Sequence, residues 1–134
     1  GVWDEPRFRD QIALLEVDIV ALEMLVLRVL SAEKSGRNAL DIAGLLKIKG
    51  SEIQQRYTEL MMLAAGPYSL PFIHEAMEAG WQGDQAAAAG LQGFPGGEVA
   101  NATLAPSYFN MRKTTIYGGS NEVQRNIVAQ TVLG

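Results

Sequence analysis

A chain of 134 residues, 48% apolar and 19% charged, has the composition of one folded domain with a single core, not of a disordered segment. Its net charge of −4 and the lack of any five-residue basic run argue against a nucleic-acid partner or a polybasic membrane anchor, and no apolar run reaches the length of about eighteen residues that reads as a membrane span. With no cysteine, disulfides, Cys-ligated zinc and a thiol nucleophile are excluded, and a reducing, cytoplasmic setting is expected.

Phe8, Ile12, Leu15, Ile19, Leu22, Val26 and Val29 recur at alternating spacings of four and three, which predicts an amphipathic helix from Glu5 to Ser35. Leu14, Val17, Ala21, Met24 and Leu25 widen its stripe, so the helix should touch two neighbours. Asp4 is the expected N-cap, Pro6 lies in the first turn, and Gly36 stands where a left-handed C-terminal residue belongs. A second helix is expected from Ala39 to Ala64, capped by Asn38, with Asp41 near the positive end of its dipole. Its expected apolar face is Ile42, Leu45, Ile53, Tyr57, Leu60 and Ala64. Gly44 and Gly50 lie inside it, each costing about 1 kcal/mol relative to alanine, so close helix–helix approach is the expected reason for both. Gly66-Pro67 ends the helix, because proline has no amide to donate.

Pro71 to Ala79 reads as a short helix ended by Gly80. Residues 80–103, with glycines at 80, 83, 90, 93, 96 and 97, read as a long mobile or functional loop. A helical turn or two is expected from Pro106 to Lys113, and a last helix begins after Gly119 and carries Val123, Ile127, Val128 and Val132. No repeat is visible. The pattern predicts an all-α fold, an antiparallel up-and-down bundle of four-helix type.

The segment Ile116–Arg125 holds the densest chemistry. Gly118 and Gly119 permit a tight turn or close approach of backbone to a ligand. Ser120 or Asn121 caps the following helix, and Asn121 with Gln124 has capping-box spacing. Free amides at a helix N-terminus favour a phosphate or pyrophosphate, although an unliganded turn into a helix has the same pattern.

This stretch resembles the C-terminal signature of the acyl-CoA dehydrogenase family, Tyr-(Glu or Gly)-Gly-(Thr or Ser)-x-Glu-(Ile or Val)-Gln-Arg, at Tyr117, Gly119, Ser120, Glu122, Val123, Gln124 and Arg125. Ser35-Gly36-Arg37 resembles the family's turn between two long helices, and Gly50, Gln55, Thr58 and Gly66 fall at family-like spacing. The resemblance covers the chain outside residues 70–110. It implies that residues 1–134 are the C-terminal helical domain of an FAD enzyme that oxidises acyl-CoA thioesters to 2,3-enoyl-CoA. In that chemistry a glutamate removes the α-proton and the β-hydrogen leaves as hydride. It also implies FAD contacts at Gly66, Ser120, Asn121 and Glu122, and substrate approach at Tyr117, Gly118 and Gly119. The implied partners are an acyl-CoA, further subunits in a homo- or hetero-oligomeric dimer or tetramer, and an electron-transfer flavoprotein.

Three positions depart from the family pattern. Met62 and Ala65 stand at the glutamine and first glycine of its Gln-x-x-Gly-Gly element, and Gly118 stands where many members carry the catalytic glutamate. No residue of this chain is therefore named as catalytic. The base is expected upstream, with the N-terminal helical and middle β-domains, and the chain alone should be inactive. Glu122 reads as a cap and dipole partner. A non-catalytic helical interaction module or subunit, and a related acyl-CoA oxidase or flavin monooxygenase, are the alternatives. His74, the single histidine, reads as a surface or packing residue. Tyr108, Phe109 and Tyr117 are either walls of an acyl pocket or core. Glu16, Asp18 and Glu23 lack the Glu-x-x-His partner of a di-metal bundle and read as a solvated face.

Overall fold

A computed structural model describes residues 1–35, 40–70, 72, 74 and 104–133. The expected caps Gly36 and Asn38 and the loop over 80–103 lie outside these residues, as does the short helix expected over 71–79 apart from Phe72 and the exposed His74. Four α-helices are present among the described residues: α1 (Pro6–Lys34), α2 (Leu40–Ala65), α3 (Leu104–Met111) and α4 (Asn121–Leu133). No strand accompanies them. The fold is all-α, as the helical periodicities require.

Proline at the first position of α1 sets φ for the helix and gives up only an amide that has no intrahelical acceptor. The N-cap is Glu5, with no side-chain cap bond. Asp4, the expected cap, instead ends a 3-10 turn over Val2–Asp4 and pairs with the Gly1 amino group. At the far end the Ser35 hydroxyl donates to the carbonyl of Ser31 at 2.7 Å. The second helix closes where Gly66 takes φ of +59° and a 3-10 turn runs over Gly66–Ser69. The helix expected over Pro106 to Lys113 starts two residues earlier and tightens into a 3-10 turn over Arg112–Thr115.

The chain divides into two compact units, residues 1–57 with 113–134, and residues 58–112. In the first, side-chain bonds fix the directions of the helices. Arg56 donates to Gln11 and Lys49 to Asp18, so α2 runs down as α1 runs up. Gly44 lies against Val128 while Ser51 meets Asn121, so α4 runs antiparallel to α2. This is the up-and-down arrangement. Phe8, Leu15 and Ile48 are its buried apolar side chains, each contributing roughly 1.5–3 kcal/mol of transfer free energy, and Trp3 packs edge-on against Phe8.

Two expected faces are corrected. Along α1 the buried and half-buried positions are Phe8, Ile12, Leu15, Leu22, Leu25 and Val29, while Ile19 and Val26 turn outward. The widening set of Leu14, Val17, Ala21 and Met24 is exposed, so the second neighbour that it anticipates is not found among the described residues. Along α2 Leu60 is buried and Leu45 and Ile53 half-buried as expected, whereas Tyr57 and Ala64 are exposed. Gly44 and Ser51, with buried Ile48 between them, meet α4. An ion-pair chain links the helices across the surface: Asp18 to Lys49, Lys49 to Glu52, and Glu52 to Arg125. The bond to Asp18 is the main cause holding the Lys49 ammonium above its ordinary value. These groups are half exposed, and such pairs contribute about 0–1 kcal/mol each.

In the second unit Leu60, Ser69, Leu104, Ala105 and Pro106 are buried. Arg112 organises it. Its guanidinium donates to Glu59 at 2.8 Å and to Thr58 at 3.1 Å, its Nε to the carbonyl of Tyr108, and its plane lies 4.3 Å from the centre of the Tyr108 ring. The planar fork satisfies several acceptors at once, which lysine does not do. Phe109, edge-on to Tyr108, is exposed, and Tyr117 is exposed as well. Neither is core in this chain.

Candidate functional site

The candidate site is the turn leading into α4 together with the part of α2 beneath it. Both lie within the first unit. The carbonyl of Lys113 accepts from the amides of Ile116 at 2.9 Å and Tyr117 at 3.2 Å, next to the buried Thr114. The backbone then reverses through Gly118 at φ +67° and Gly119 at φ +87°. Two consecutive residues in this region point to glycine, since a Cβ is strained there. A Cβ on Gly119 would also stand 2.7 Å from Nε2 of the Gln124 side chain.

Ser120 is the N-cap. Its carbonyl accepts from the Gln124 amide at 2.9 Å, and its hydroxyl accepts from the Val123 amide at 3.4 Å. The expected capping box between Asn121 and Gln124 does not form. The Gln124 side chain instead donates to the carbonyl of Gly118 at 3.4 Å, tying the glycine turn to the first turn of α4.

Asn121 turns inward and is buried, 3% exposed. Its Oδ1 accepts from the Lys47 ammonium at 2.7 Å, and its Nδ2 donates to the Ser51 hydroxyl at 3.0 Å. The single hydroxyl proton of Ser51 is directed to the carbonyl of Ile48 at 2.8 Å, the shorter of its two acceptor distances. Both of these side-chain bonds of Asn121 therefore lie inside the fold. Of the three residues expected to contact a cofactor in this segment, Asn121 fixes the helix, and Ser120 and Glu122 face outward.

The Glu122 carboxylate is fully exposed. Its own backbone amide and the Ser120 hydroxyl bond to it and hold it below the ordinary carboxylate value, with Arg125 and Lys47 adding positive field. A carboxylate shifted in this direction is a weak base. It stabilises the start of α4 above the ordinary carboxylate value, and that contribution fades as pH falls through the folded value. Ser120→Ala should move the Glu122 titration midpoint upward, as read by NMR of the side-chain carboxyl carbon. An unmoved midpoint would remove Ser120 from this role.

These bonds also test the fit of FAD. The Val123 amide, one of those an incoming phosphate needs, already meets the Ser120 hydroxyl at 3.4 Å. What the turn offers outward is a carboxylate acceptor, a hydroxyl and Cβ-free backbone. That set suits the hydroxyl- and amine-bearing parts of FAD. Exposed Ile116, Tyr117, Val123 and Ile127 surround the turn with apolar surface.

Gly66 belongs to the second unit, where its carbonyl accepts from the Ser69 hydroxyl at 2.7 Å. Asp18 is bonded to Lys49 rather than grouped with Glu16 and Glu23, and among the described residues no three His, Cys, Asp or Glu side chains could hold a metal. No described helix is long and apolar enough to cross a membrane. Lys47 and Ser51 are the residues that sequence reasoning missed. Their signal was faint: two polar residues four apart on the face of α2 that also carries Gly44 and Ile48.

A family model described as acyl-CoA dehydrogenase, C-terminal domain, matches residues 2–133. No curated protein and no solved structure matches the chain.

Proposed function

We propose, from the premise that this chain belongs to the acyl-CoA dehydrogenase family as its C-terminal domain, that it is the FAD- and subunit-contacting domain of an enzyme oxidising acyl-CoA thioesters to 2,3-enoyl-CoA. The observation that carries this reading is the turn Tyr117–Glu122: backbone without Cβ atoms at Gly118 and Gly119, and an outward carboxylate with a hydroxyl beside it. FAD, when bound, supplies the hydride-accepting chemistry. This chain's residues bind and orient. Ser120 and Glu122 offer acceptors to cofactor hydroxyls, Gly66 contributes a Cβ-free contact, Tyr117, Gly118 and Gly119 let the thioester approach, and Asn121 holds the turn in place. An electron-transfer flavoprotein is the proposed electron acceptor, further subunits are the proposed assembly partners, and the cytoplasm is the proposed setting.

Among the described residues of this turn no group takes the α-proton. Gly118 has no side chain, and Glu122 is held ionised as a weak base, so the base is assigned to another part of the enzyme. The same glycine favours a second reading, a subunit that keeps the fold without the chemistry.

In the full-length protein, Ser120→Ala combined with Glu122→Ala should lower flavin content several-fold, as judged by visible absorbance per protein. Full retention sinks the cofactor assignment. Anaerobic addition of acyl-CoA thioesters to the parent protein should bleach the flavin bands. Bound flavin that no thioester bleaches selects the non-catalytic subunit.

A further inference from the structure

Helix α1 carries a second heptad on the side away from its core. Asp10, Leu14, Val17, Ala21, Met24 and Arg28 follow at spacings of four, three, four, three and four, which is the seam of a two-stranded coiled coil. All six are exposed, Leu14 and Val17 at 66% each and Met24 at 53%. Exposed Val20 and Leu27 flank the seam on one side. A contiguous apolar strip of this kind marks a surface built to be covered.

The charges at its ends identify the cover. Asp10 and Arg28 lie at equal distances in sequence on either side of position 19. If two copies of α1 cross antiparallel about a twofold axis at that position, Asp10 of each faces Arg28 of the other. Leu14 then faces Met24, and Val17 faces Ala21, larger against smaller, which allows close approach. A twofold interface requires this reciprocity. Parallel pairing sets Asp10 on Asp10 and Arg28 on Arg28, which is repulsive.

We propose that α1 pairs antiparallel with α1 of a second copy of this chain along this seam, closed at each end by an Asp10–Arg28 bridge. This deepens the subunit association proposed above and rests on that part of the reading, while needing nothing from the flavin chemistry.

The test is cross-linking in the full-length protein, with the parent run alongside. Leu14→Cys with Met24→Cys places the two thiols about 15 Å apart along one helix, beyond disulfide reach within a copy. Under mild oxidation the double variant should run mainly as a covalent dimer on non-reducing gels, and each single variant as monomer. Asp10→Arg should cut the dimer yield several-fold, and adding Arg28→Asp should restore it. Single variants that cross-link as well as the double establish a parallel pair and overturn the proposal. No cross-link, with light scattering still reporting an oligomer, means that another surface covers α1: the proposal fails and the association stands. A monomer by light scattering removes both, and flavin content measured on the same samples reports separately on the cofactor reading.

Discussion

Asn121→Leu is expected to destabilise the protein by about 3 kcal/mol, because an unpaired buried polar group costs roughly 1–3 kcal/mol and more when it is charged. Leucine keeps the branch of asparagine at Cγ but is bulkier, so overpacking at this buried position adds to the loss. Beyond packing, the half-buried Lys47 ammonium loses its acceptor and the buried Ser51 hydroxyl loses its donor. Urea unfolding should show a lower midpoint at unchanged slope, the signature of lost stability rather than an altered unfolded state. Asn121→Asp separates the two bonds. It keeps an acceptor for Lys47, now charge-assisted, and places a negative charge in the first turn of α4, where the helix dipole favours it. The aspartate variant should therefore lose much less stability at neutral pH than the leucine variant. Equal losses would show that the Lys47 contact contributes little and that the Ser51 bond dominates.

The consequence for function runs through position. Ser120 and Glu122 sit on either side of Asn121 in the chain, and their outward direction depends on Asn121 pointing in. Loosening Asn121 frees the whole first turn of α4. Asn121, which the family signature implies as a cofactor contact, also bonds Lys47 and Ser51 inside the fold.

Helix periodicity made most of the architecture legible. The Phe8–Val29 stripe gave α1 to within a residue at each end, and Gly66-Pro67 placed the end of α2, because these signals are local and depend on the backbone alone. The turn before α4 was legible from its paired glycines, and the family from the Tyr117–Arg125 signature. What stayed hidden depends on partners far away in sequence. Lys47 and Ser51 interrupt the apolar pattern of α2, so a periodicity count passes over them, yet they are where α4 docks. The N-terminal cap was misplaced by one residue because Asp4, the better capping residue by type, closes a separate 3-10 turn. The Val123 amide, free in the sequence pattern, is met by the Ser120 hydroxyl, and only side-chain geometry could show that.

The two glycines inside α2 provide the sharpest contrast, since sequence gives them the same explanation and the structure does not. At Gly44 an added Cβ would meet Val128 Cγ2 at 2.9 Å and Gln124 Oε1 at 3.2 Å, so the close approach of α4 requires glycine there. At Gly50 no atom lies within 4 Å of the same added carbon. Alanine gains about 1 kcal/mol over glycine in a helix interior at either site. At Gly44 that gain is opposed by overpacking of about 1–3 kcal/mol against a branched side chain that cannot swing aside. Gly44→Ala should thus be destabilising by about 1 kcal/mol, and Gly44→Leu by about 3 kcal/mol or more, as extra methylenes have nowhere to go. Gly50→Ala should be stabilising by up to about 1 kcal/mol in the isolated chain, measured by the same urea midpoints. If Gly50→Ala is instead destabilising in the full-length protein while stabilising here, Gly50 is a contact with a neighbouring part of the enzyme. If Gly44→Leu costs nothing, α4 does not pack where the antiparallel register of Gly44 with Val128 and Ser51 with Asn121 puts it, and the anchoring role of Asn121 falls with it.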